Sequence, residues 1–331
     1  MLQKDGLVPV IGGTVSTTIW FVTNRNYAGK TFGTTFPKIP GDLRVGRAEV
    51  MDGGTIDGLN VFPNNPKKGS LAMFDELRGD MKTCGRDTII YIHGFNNDFN
   101  ESLQEGAELS RALGDRYNVV VFSWPSNGTK LGYYPDRHDA ELSGLGFARG
   151  LLKFKAFISE LTKEDACERK LHLVAHSMGN YVLRHALQKM KQIEGYASTP
   201  RLFDQVVLAA ADEDADALRL DYKLANLPNL CGRLNVYFNN GDVALAVSDK
   251  VKGNPDRLGH DGPDKPWDIA QKIVLIDASQ TVSGDIDMQH AYIRKDRNVI
   301  DDLTRVLAGT PSQNFGASRK YVDHANKFEI V

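Results

Sequence analysis

The segment Lys170-Leu-His-Leu-Val-Ala-His-Ser-Met-Gly179 constrains the fold more than any other stretch of the chain. A short apolar run, Leu171 to Ala175, leads directly into Ser177, and a helical pattern follows from Asn180 to Met190. Small residues stand two positions before and two positions after the serine. This is the pattern of a strand, a sharp turn and a helix whose backbones approach closely, with the serine side chain above a sheet. The sequence therefore predicts a nucleophile elbow at Ser177.

Apolar runs alternate with helical patterns along most of the chain. Besides the elbow, strands are predicted at Thr17–Thr23, Ala48–Met51, Thr88–Ile92, Val119–Phe122, Gln205–Ala210, Arg233–Phe238 and Lys272–Ile276, and helices at Glu101–Leu113, Glu141–Leu161 and Val299–Leu307. Unbroken apolar strands that alternate with helices indicate a mostly parallel sheet with helices on both faces. The predicted fold class is therefore α/β.

We expect a single domain over residues 1–331. Two segments rich in Gly, Pro, Tyr or charged residues, 125–143 and 243–270, lie just past predicted strand ends. Open α/β sheets bind ligands at that edge, so either segment is expected to form part of a lid or pocket wall. The expected division is N-terminal strands and loops in 1–87, the catalytic core in 88–308, and a polar tail in 309–331 that ends in an edge strand at Lys327–Val331.

Charge and cysteine content exclude several classes of protein. The 40 Lys and Arg residues balance 42 Asp and Glu without long runs of one sign, which argues against a nucleic-acid partner. No apolar window is long enough to cross a membrane, and the N-terminus has no signal-peptide pattern. The three cysteines are widely spaced and odd in number, so neither a disulfide framework nor a zinc site is predicted. We expect a cytoplasmic protein, with export left open.

A serine hydroxyl at the elbow needs a base, and the base needs an orienting acid. In elbow-containing folds these follow the nucleophile in the order acid, then histidine. Asp212 and Asp242 both stand at ends of predicted strands after Ser177. The acid usually follows the second strand after the elbow strand, which favours Asp242 and leaves Asp212 as the alternative. The acidic run beginning at Asp212 is also compatible with a solvated helix start.

Three histidines follow Asp242: His260, His290 and His324. The base is expected on the loop between the last core strand and the last core helix. Only His290 lies there, since His260 falls in a Gly- and Asp-rich insertion and His324 in the polar tail. His290 is therefore the predicted base.

A tetrahedral intermediate needs two donors directed at its oxyanion. The backbone N–H of Met178, which follows the nucleophile at a helix N-terminus, is the first expected donor. The second is the N–H of Phe95, because Gly94 allows a sharp turn after the early strand. His93 is expected to hold this loop by hydrogen bonding rather than to act as a base or metal ligand.

Aromatic and histidine side chains near the expected mouth are candidates for a substrate pocket. The candidates are His93, Trp124, Tyr133, Tyr134 and His176, together with Phe95. Core packing is an equal alternative for Trp124, and the two tyrosines also fit ordinary loop anchors. A metal site built from His93, His138 and His260 is disfavoured because no His-Glu-x-x-His or similar spacing occurs, so no metal or other cofactor is expected.

From Thr88 to Leu307 the chain resembles the α/β-hydrolase superfamily, and within it an uncharacterised bacterial, esterase-like group known as a domain of unknown function. The motifs that carry the resemblance are Thr23-Asn-Arg25, His93-Gly-Phe-Asn-Asn97, Phe122-Ser-Trp-Pro-Ser126, Ala175-His-Ser-Met-Gly-Asn180, Leu208-Ala-Ala210 before Asp212, Asp242-Val-Ala-Leu245, Ile276-Asp-Ala-Ser279 and His290-Ala-Tyr292. The resemblance implies an α/β-hydrolase fold with Ser177, Asp242 and His290 as a catalytic triad. Ala175 departs from the family's first elbow glycine, and the loop after Gly94 lacks the extra glycines of some esterases.

These residues predict a serine carboxylesterase that acts on a small-molecule ester through an acyl-enzyme. Thioesterase, amidase and acyltransferase activities would use the same residues, and a non-catalytic binding protein on this fold is the alternative from a different class. Because His290 must be neutral to act as a base, activity is expected to fall below roughly pH 6 to 7.

Overall fold

The fold is built on one long sheet, seen in a computed structural model that describes residues 16–63, 69–127, 133–160, 168–194, 201–246, 256–285, 288–322 and 326–331. Within these ranges eleven strands pair in the order β10-β11-β9-β8-β7-β6-β4-β5-β1-β2-β3. The strands are β1 Ser16–Thr23, β2 Arg44–Met51, β3 Ile56–Val61, β4 Asp87–Ile92, β5 Tyr117–Ser123, β6 Leu171–His176, β7 Phe203–Ala209, β8 Cys231–Phe238, β9 Ile273–Asp277, β10 Arg319–Val322 and β11 Lys327–Ile330.

Neighbouring strands from β11 to β1 are parallel, whereas β2, β3 and β10 are antiparallel additions at the two edges. The helices are α1 Gly69–Cys84, α2 Phe99–Ala112, α3 Tyr133–Glu160, α4 Gly179–Glu194, α5 Leu258–Asp261, α6 Tyr292–Lys295 and α7 Arg297–Leu307, with short 3₁₀ turns at Leu227–Leu230, Ser312–Asn314 and Gly316–Ser318. Two separate apolar clusters cover the two faces of the sheet, one including α2 and α7 and the other α3 and α4. The predicted α/β fold class is confirmed.

Strand β6 lies at the centre of the parallel part of the sheet. All six of its residues are buried, which explains why its sequence reads as a continuous apolar run rather than an alternating one. It pairs in parallel with β4 on one side and β7 on the other. The carboxyl ends of these strands therefore meet at one edge, where Gly94, Ser177 and Asp212 follow directly.

Helix α2 begins directly behind the loop that follows β4. Asp98 accepts a hydrogen bond from the Glu101 backbone N–H at 2.8 Å, and the Glu101 carboxylate accepts from the Asp98 N–H at 2.7 Å. This reciprocal capping box satisfies two N–H groups at the helix start and fixes where the preceding loop must end. The helix therefore begins at Phe99, two residues before the predicted start.

Three elements differ from the predictions. Helix α1 was not predicted, although Met73, Leu77 and Met81 share one buried face at helical spacing. Helix α3 begins at Tyr133 rather than Glu141, and the C-terminal segment is not an edge strand, because β10 covers β11.

Other predicted features lie wholly or partly outside the described residues. They are the N-terminal segment 1–15, Cys167, His324, and parts of both insertions, 128–132 and 247–255. Of the insertions, residues 133–143 form the start of α3, 243–246 are helical, and α5 lies in the second. No helix in the described ranges is both long and apolar enough to cross a membrane.

Candidate active site

Ser177 occupies the sharp turn between β6 and α4. Its backbone φ is +52°, in the left-handed region that a non-glycine residue adopts only when its surroundings impose it. The Ser177 N–H donates to the Ala209 carbonyl at 3.0 Å, and its own carbonyl accepts from the Asp212 N–H at 3.2 Å. The Asn180 side-chain amide also donates to the Ser177 carbonyl, at 3.0 Å, and to the Ala175 carbonyl, at 3.1 Å. The turn therefore has the strained geometry of the predicted elbow.

Gly179 is required by the close approach of α4 to β4. A Cβ atom at this position would lie 2.5 Å from the Ile92 carbonyl oxygen and 2.8 Å from that of His93. Both neighbours are backbone atoms, so they cannot yield without moving the strand. The other flanking residue, Ala175, is fully buried within β6, where its methyl group is accommodated.

We predict that Gly179→Ala destabilises the protein by about 1–3 kcal/mol, because α4 must move away from β4 and carry Ser177 with it. Urea unfolding would measure the loss of stability. Gly79→Ala is the matched control, since a Cβ there meets nothing within 4 Å and should stabilise α1 slightly. A Gly179→Ala protein with the wild-type unfolding midpoint would contradict the prediction.

Asp242 and His290 are in direct contact across two loops. The His290 Nδ1 atom lies 2.6 Å from Asp242 Oδ2, and the Asp242 side chain is fully buried. The other carboxylate oxygen accepts from the Leu245 N–H at 3.0 Å. Asn239 shapes the acid loop, because its side-chain oxygen accepts from the Gly241 N–H at 3.0 Å. Because a carboxylate only accepts, Nδ1 of His290 is the donor in this contact, and Nε2 is the ring nitrogen that does not face Asp242.

The environment of His290 makes it a stronger base than an ordinary imidazole. Burial on its own lowers the pKa of His290, but the charge of Asp242 and the hydrogen bond to it outweigh this effect. The pKa of His290 is therefore raised above the usual value of 6.5. Asp212 adds to the rise, while Arg294 opposes it.

Asp212 lies beside Ser177 but belongs to a different network. Its carboxylate accepts from the Tyr133 hydroxyl at 2.7 Å and lies 3.9 Å from Arg137 Nη1 and 3.8 Å from Arg257 Nε. Asp212 is 2% exposed, and turns rather than a helix follow it. The interpretation of this acidic run as a solvated helix start is therefore wrong.

His93 stabilises the loop after β4 through hydrogen bonds. The Trp124 N–H donates to its Nε2 at 3.1 Å, so the proton sits on Nδ1, which donates to the Gly94 carbonyl at 2.8 Å. The rings of His93 and Trp124 are stacked at 5.1 Å, and both side chains are 0% exposed. Burial, together with the positive charge of Arg25, lowers the pKa of His93 to about 3. Neither ring is exposed to a ligand in this structure. His93 and Trp124 therefore support the loop after β4 rather than line the predicted substrate pocket.

Arg25 ties together the loops behind this site. Its fully buried guanidinium donates to the carbonyls of Gly33, Asn97 and Ser126 at 2.8–3.2 Å. Burial lowers the pKa of Arg25 to about 9, and the nearby carboxylates of Asp98 and Asp136 only partly offset it. The Arg25 side chain therefore holds the segment after β4 in a fixed conformation.

The two predicted oxyanion donors, Phe95 and Met178, directly follow Gly94 and Ser177 in the chain. Gly94 adjoins Ser177, because a Cβ at Gly94 would lie 3.0 Å from Ser177 Cβ and 3.5 Å from Oγ. No described residue accepts a hydrogen bond from the backbone N–H of Phe95 or Met178. Both donors are therefore unused by the described part of the chain, as an oxyanion hole requires.

Tyr133 bridges the loops that follow β4 and β7. It stands at the first position of α3, packs edge-on against Phe95 at 5.8 Å and donates to Asp212. Tyr134 packs against Tyr133 but is 59% exposed. Tyr133 is therefore the predicted pocket tyrosine that reaches the loops on either side of Ser177.

The histidines considered for a metal site are separated. His93 is buried, His138 is exposed on α3, and His260 is paired with Asp261 at 2.8 Å. In the part of the chain that the structure describes, no three His, Cys, Asp or Glu side chains form a group that could hold a metal ion.

Three residues that shape the site had no role predicted from the sequence. Asn180 and Arg25 were named only within motifs, and Asn239 was not named. An asparagine immediately after the elbow glycine was the available signal for Asn180. The contacts of Arg25 and Asn239 join segments distant in sequence and had no local signal.

Comparison with known proteins agrees with this fold. The family described as "Alpha/beta hydrolase of unknown function (DUF900)" matches residues 72–308. The Nostoc sp. (strain PCC 7120) protein described as "Uncharacterized protein alr1448" is 30% identical over 131 residues, which make up 38% of this chain and 29% of that protein. The match thus spans less than a third of that relative's length, and neither description specifies a substrate.

Proposed function

The chain belongs to the family of alpha/beta hydrolases of unknown function, and from this premise we propose that it is a serine hydrolase that cleaves carboxylic esters. The observation that carries the proposal is the 2.6 Å contact between His290 Nδ1 and Asp242, made at the sheet edge where Ser177 occupies a strained elbow. A buried acid, an oriented imidazole and an elbow serine are the parts that acyl transfer through serine requires.

In the proposed reaction, His290 Nε2 accepts the proton of the Ser177 hydroxyl as Oγ attacks the ester carbonyl. The N–H groups of Phe95 and Met178 stabilise the oxyanion of the tetrahedral intermediate. Its collapse expels the alcohol, which takes the proton from His290, and leaves an acyl-enzyme. Water, deprotonated by His290, then releases the acid and restores Ser177.

Covalent labelling of the wild-type protein tests the proposal. A fluorophosphonate should react at Ser177 as Oγ bonds to phosphorus and fluoride leaves, and peptide mass spectrometry should locate the adduct. Absence of labelling in the folded protein would favour a non-catalytic binding protein. A panel of matched esters, thioesters and amides with acyl chains of graded length would then separate esterase from thioesterase or amidase activity, and added alcohol acceptors would reveal acyl transfer.

The raised pKa of His290 predicts the pH dependence of the reaction. Only neutral His290 accepts the serine proton, so kcat/KM should fall on acidification, with a midpoint above the ordinary imidazole value of 6.5.

The free energy of unfolding should change with pH in the opposite direction. The charged His290–Asp242 pair stabilises the fold fully below 6.5, and this contribution is lost as pH rises through the raised pKa. Rate profiles and urea midpoints across this window measure both trends, and an acidic limb with a midpoint below 6.5 would contradict the prediction.

A further inference from the structure

A second histidine, His176, lies against the proposed base. It is the last residue of β6, directly before Ser177, and is 3% exposed. The ring centroids of His176 and His290 are 4.8 Å apart. The Nε2 atom of His176 lies 3.1 Å from the backbone carbonyl oxygen of His290. The residue that precedes the nucleophile is thus bonded to the main chain of the base.

This contact determines the protonation of His176. A carbonyl oxygen only accepts hydrogen bonds, so Nε2 must carry the proton and donate. Burial, followed by the charges of His290 and Arg294, holds the pKa of His176 well below 6.5, so the ring stays neutral. Nδ1 then has a lone pair, is buried and has no hydrogen-bond partner among the described residues. The Nε2 contact is therefore the one hydrogen bond that the His176 ring makes among the described residues, and the unpaired Nδ1 atom costs free energy.

The segment that leads to His290 needs such support. Met288 and Gln289 have φ values of +61° and +58°, which are unfavourable for residues with side chains. The Met288 carbonyl accepts from the Val243 N–H at 3.1 Å, and the Gln289 carbonyl accepts from the Asn239 side chain at 3.0 Å. Both of these donors belong to the loop of the acid.

Three consecutive backbone carbonyls, from Met288 to His290, therefore accept hydrogen bonds. Of the three donors, only the one to the His290 carbonyl lies on β6, the strand that precedes Ser177. The first two bonds fix the base relative to Asp242. We propose that His176 is the positioning residue that fixes His290 relative to Ser177. This assignment rests on the proposed function. It means that His176 affects the geometry of the transition state and not the binding of the substrate.

Two substitutions at one position test the role. His176→Leu removes the donor but keeps an apolar side chain of similar bulk, whereas His176→Gln retains an N–H near the Nε2 position. With para-nitrophenyl butyrate, the leucine variant should lose between about 10- and about 100-fold in kcat, with KM changed less than about twofold. The glutamine variant should recover most of kcat. The rate of Ser177 labelling by a fluorophosphonate should follow the same order.

His172→Leu is the matched control. His172 is also a buried histidine on β6, four residues earlier, and its Nε2 lies 3.7 Å from Asp87 Oδ2, at the end of the strand away from Ser177. Its substitution should leave kcat close to the wild-type value. If His176→Leu does not fold, His176→Asn replaces it, because its shorter amide cannot reach the His290 carbonyl.

The outcomes separate the two proposals. A folded His176→Leu or His176→Asn variant with wild-type kcat, or a glutamine variant no better than leucine, would overturn the positioning role while leaving the hydrolase intact. An equal loss in His172→Leu would do the same, because any buried imidazole would then matter. If wild-type Ser177 neither labels nor turns over esters, the proposed function fails and the positioning role fails with it.

Discussion

Ser177→Ala is expected to lower kcat for ester cleavage by about 10⁴- to 10⁶-fold, the largest effect of any single substitution in this chain. In the proposed mechanism the serine oxygen is the atom that forms the acyl-enzyme, and alanine has no oxygen to take its place. Residual activity, if measurable, would come from the Phe95 and Met178 donors acting on bound substrate with water as the nucleophile. Fluorophosphonate labelling should vanish in the same protein.

The substitution should not damage the fold. Ser177 is 6% exposed, and in the described ranges its Oγ makes no hydrogen bond, so alanine leaves no buried partner unsatisfied. The free energy of unfolding should therefore match or exceed that of the wild type, as is common when a functional residue is replaced by a smaller, apolar one.

The matched control is Ser110→Ala on α2. Ser110 is also buried, at 3% exposure, but its hydroxyl donates to Asp115 at 2.8 Å, away from the elbow. Its loss should reduce stability and leave kcat unchanged. Retention of esterase activity by Ser177→Ala, or labelling of a different residue in it, would remove Ser177 from the mechanism.

The sequence predicted the elbow because its signals are local. Strand β6 is buried on both faces, so it appears as an unbroken apolar run, and the closeness of α4 to β4 demands Gly179 within the same segment. Asp242 and His290 could be ranked for a related reason. In a parallel sheet the carboxyl ends of successive strands share one edge, so a residue's distance past a strand end predicts its place in the site.

The parts that were missed depend on contacts between segments far apart in sequence. The pairing of β10 with β11 places the C-terminal segment inside the sheet, which its polar sequence does not indicate. His176 was predicted as a pocket candidate, and its hydrogen bond to the His290 backbone had no local signal in the sequence. Local patterns thus predict which helices and strands form, whereas the contacts that hold His290 in place are visible only in the three-dimensional structure.

The choice between Asp242 and Asp212 as the acid leads to the second large prediction. Asp242→Asn should lower kcat by about 10⁴-fold, because an amide nitrogen facing His290 Nδ1 forces the proton onto Nε2, the atom that must accept the serine proton. Removing the carboxylate also leaves only the weaker effect of Asp212 to oppose burial, so the pKa of His290 should fall. The acidic limb of the kcat/KM profile should therefore shift to lower pH in this variant.

Asp212→Asn provides the comparison, since Asp212 is also buried beside Ser177 but bonds to Tyr133 instead of a histidine. Its loss leaves the charges of Arg137 and Arg257 less well compensated, so we expect reduced stability and at most about a tenfold loss of kcat. Because Asp212 contributes less than Asp242 to the raised pKa of His290, the acidic limb should move only slightly. The pH dependence of kcat/KM and the urea unfolding of the two variants, measured under the same conditions, show which aspartate is the acid. A large rate loss and limb shift in Asp212→Asn, with Asp242→Asn close to wild type, would transfer the acid role to Asp212.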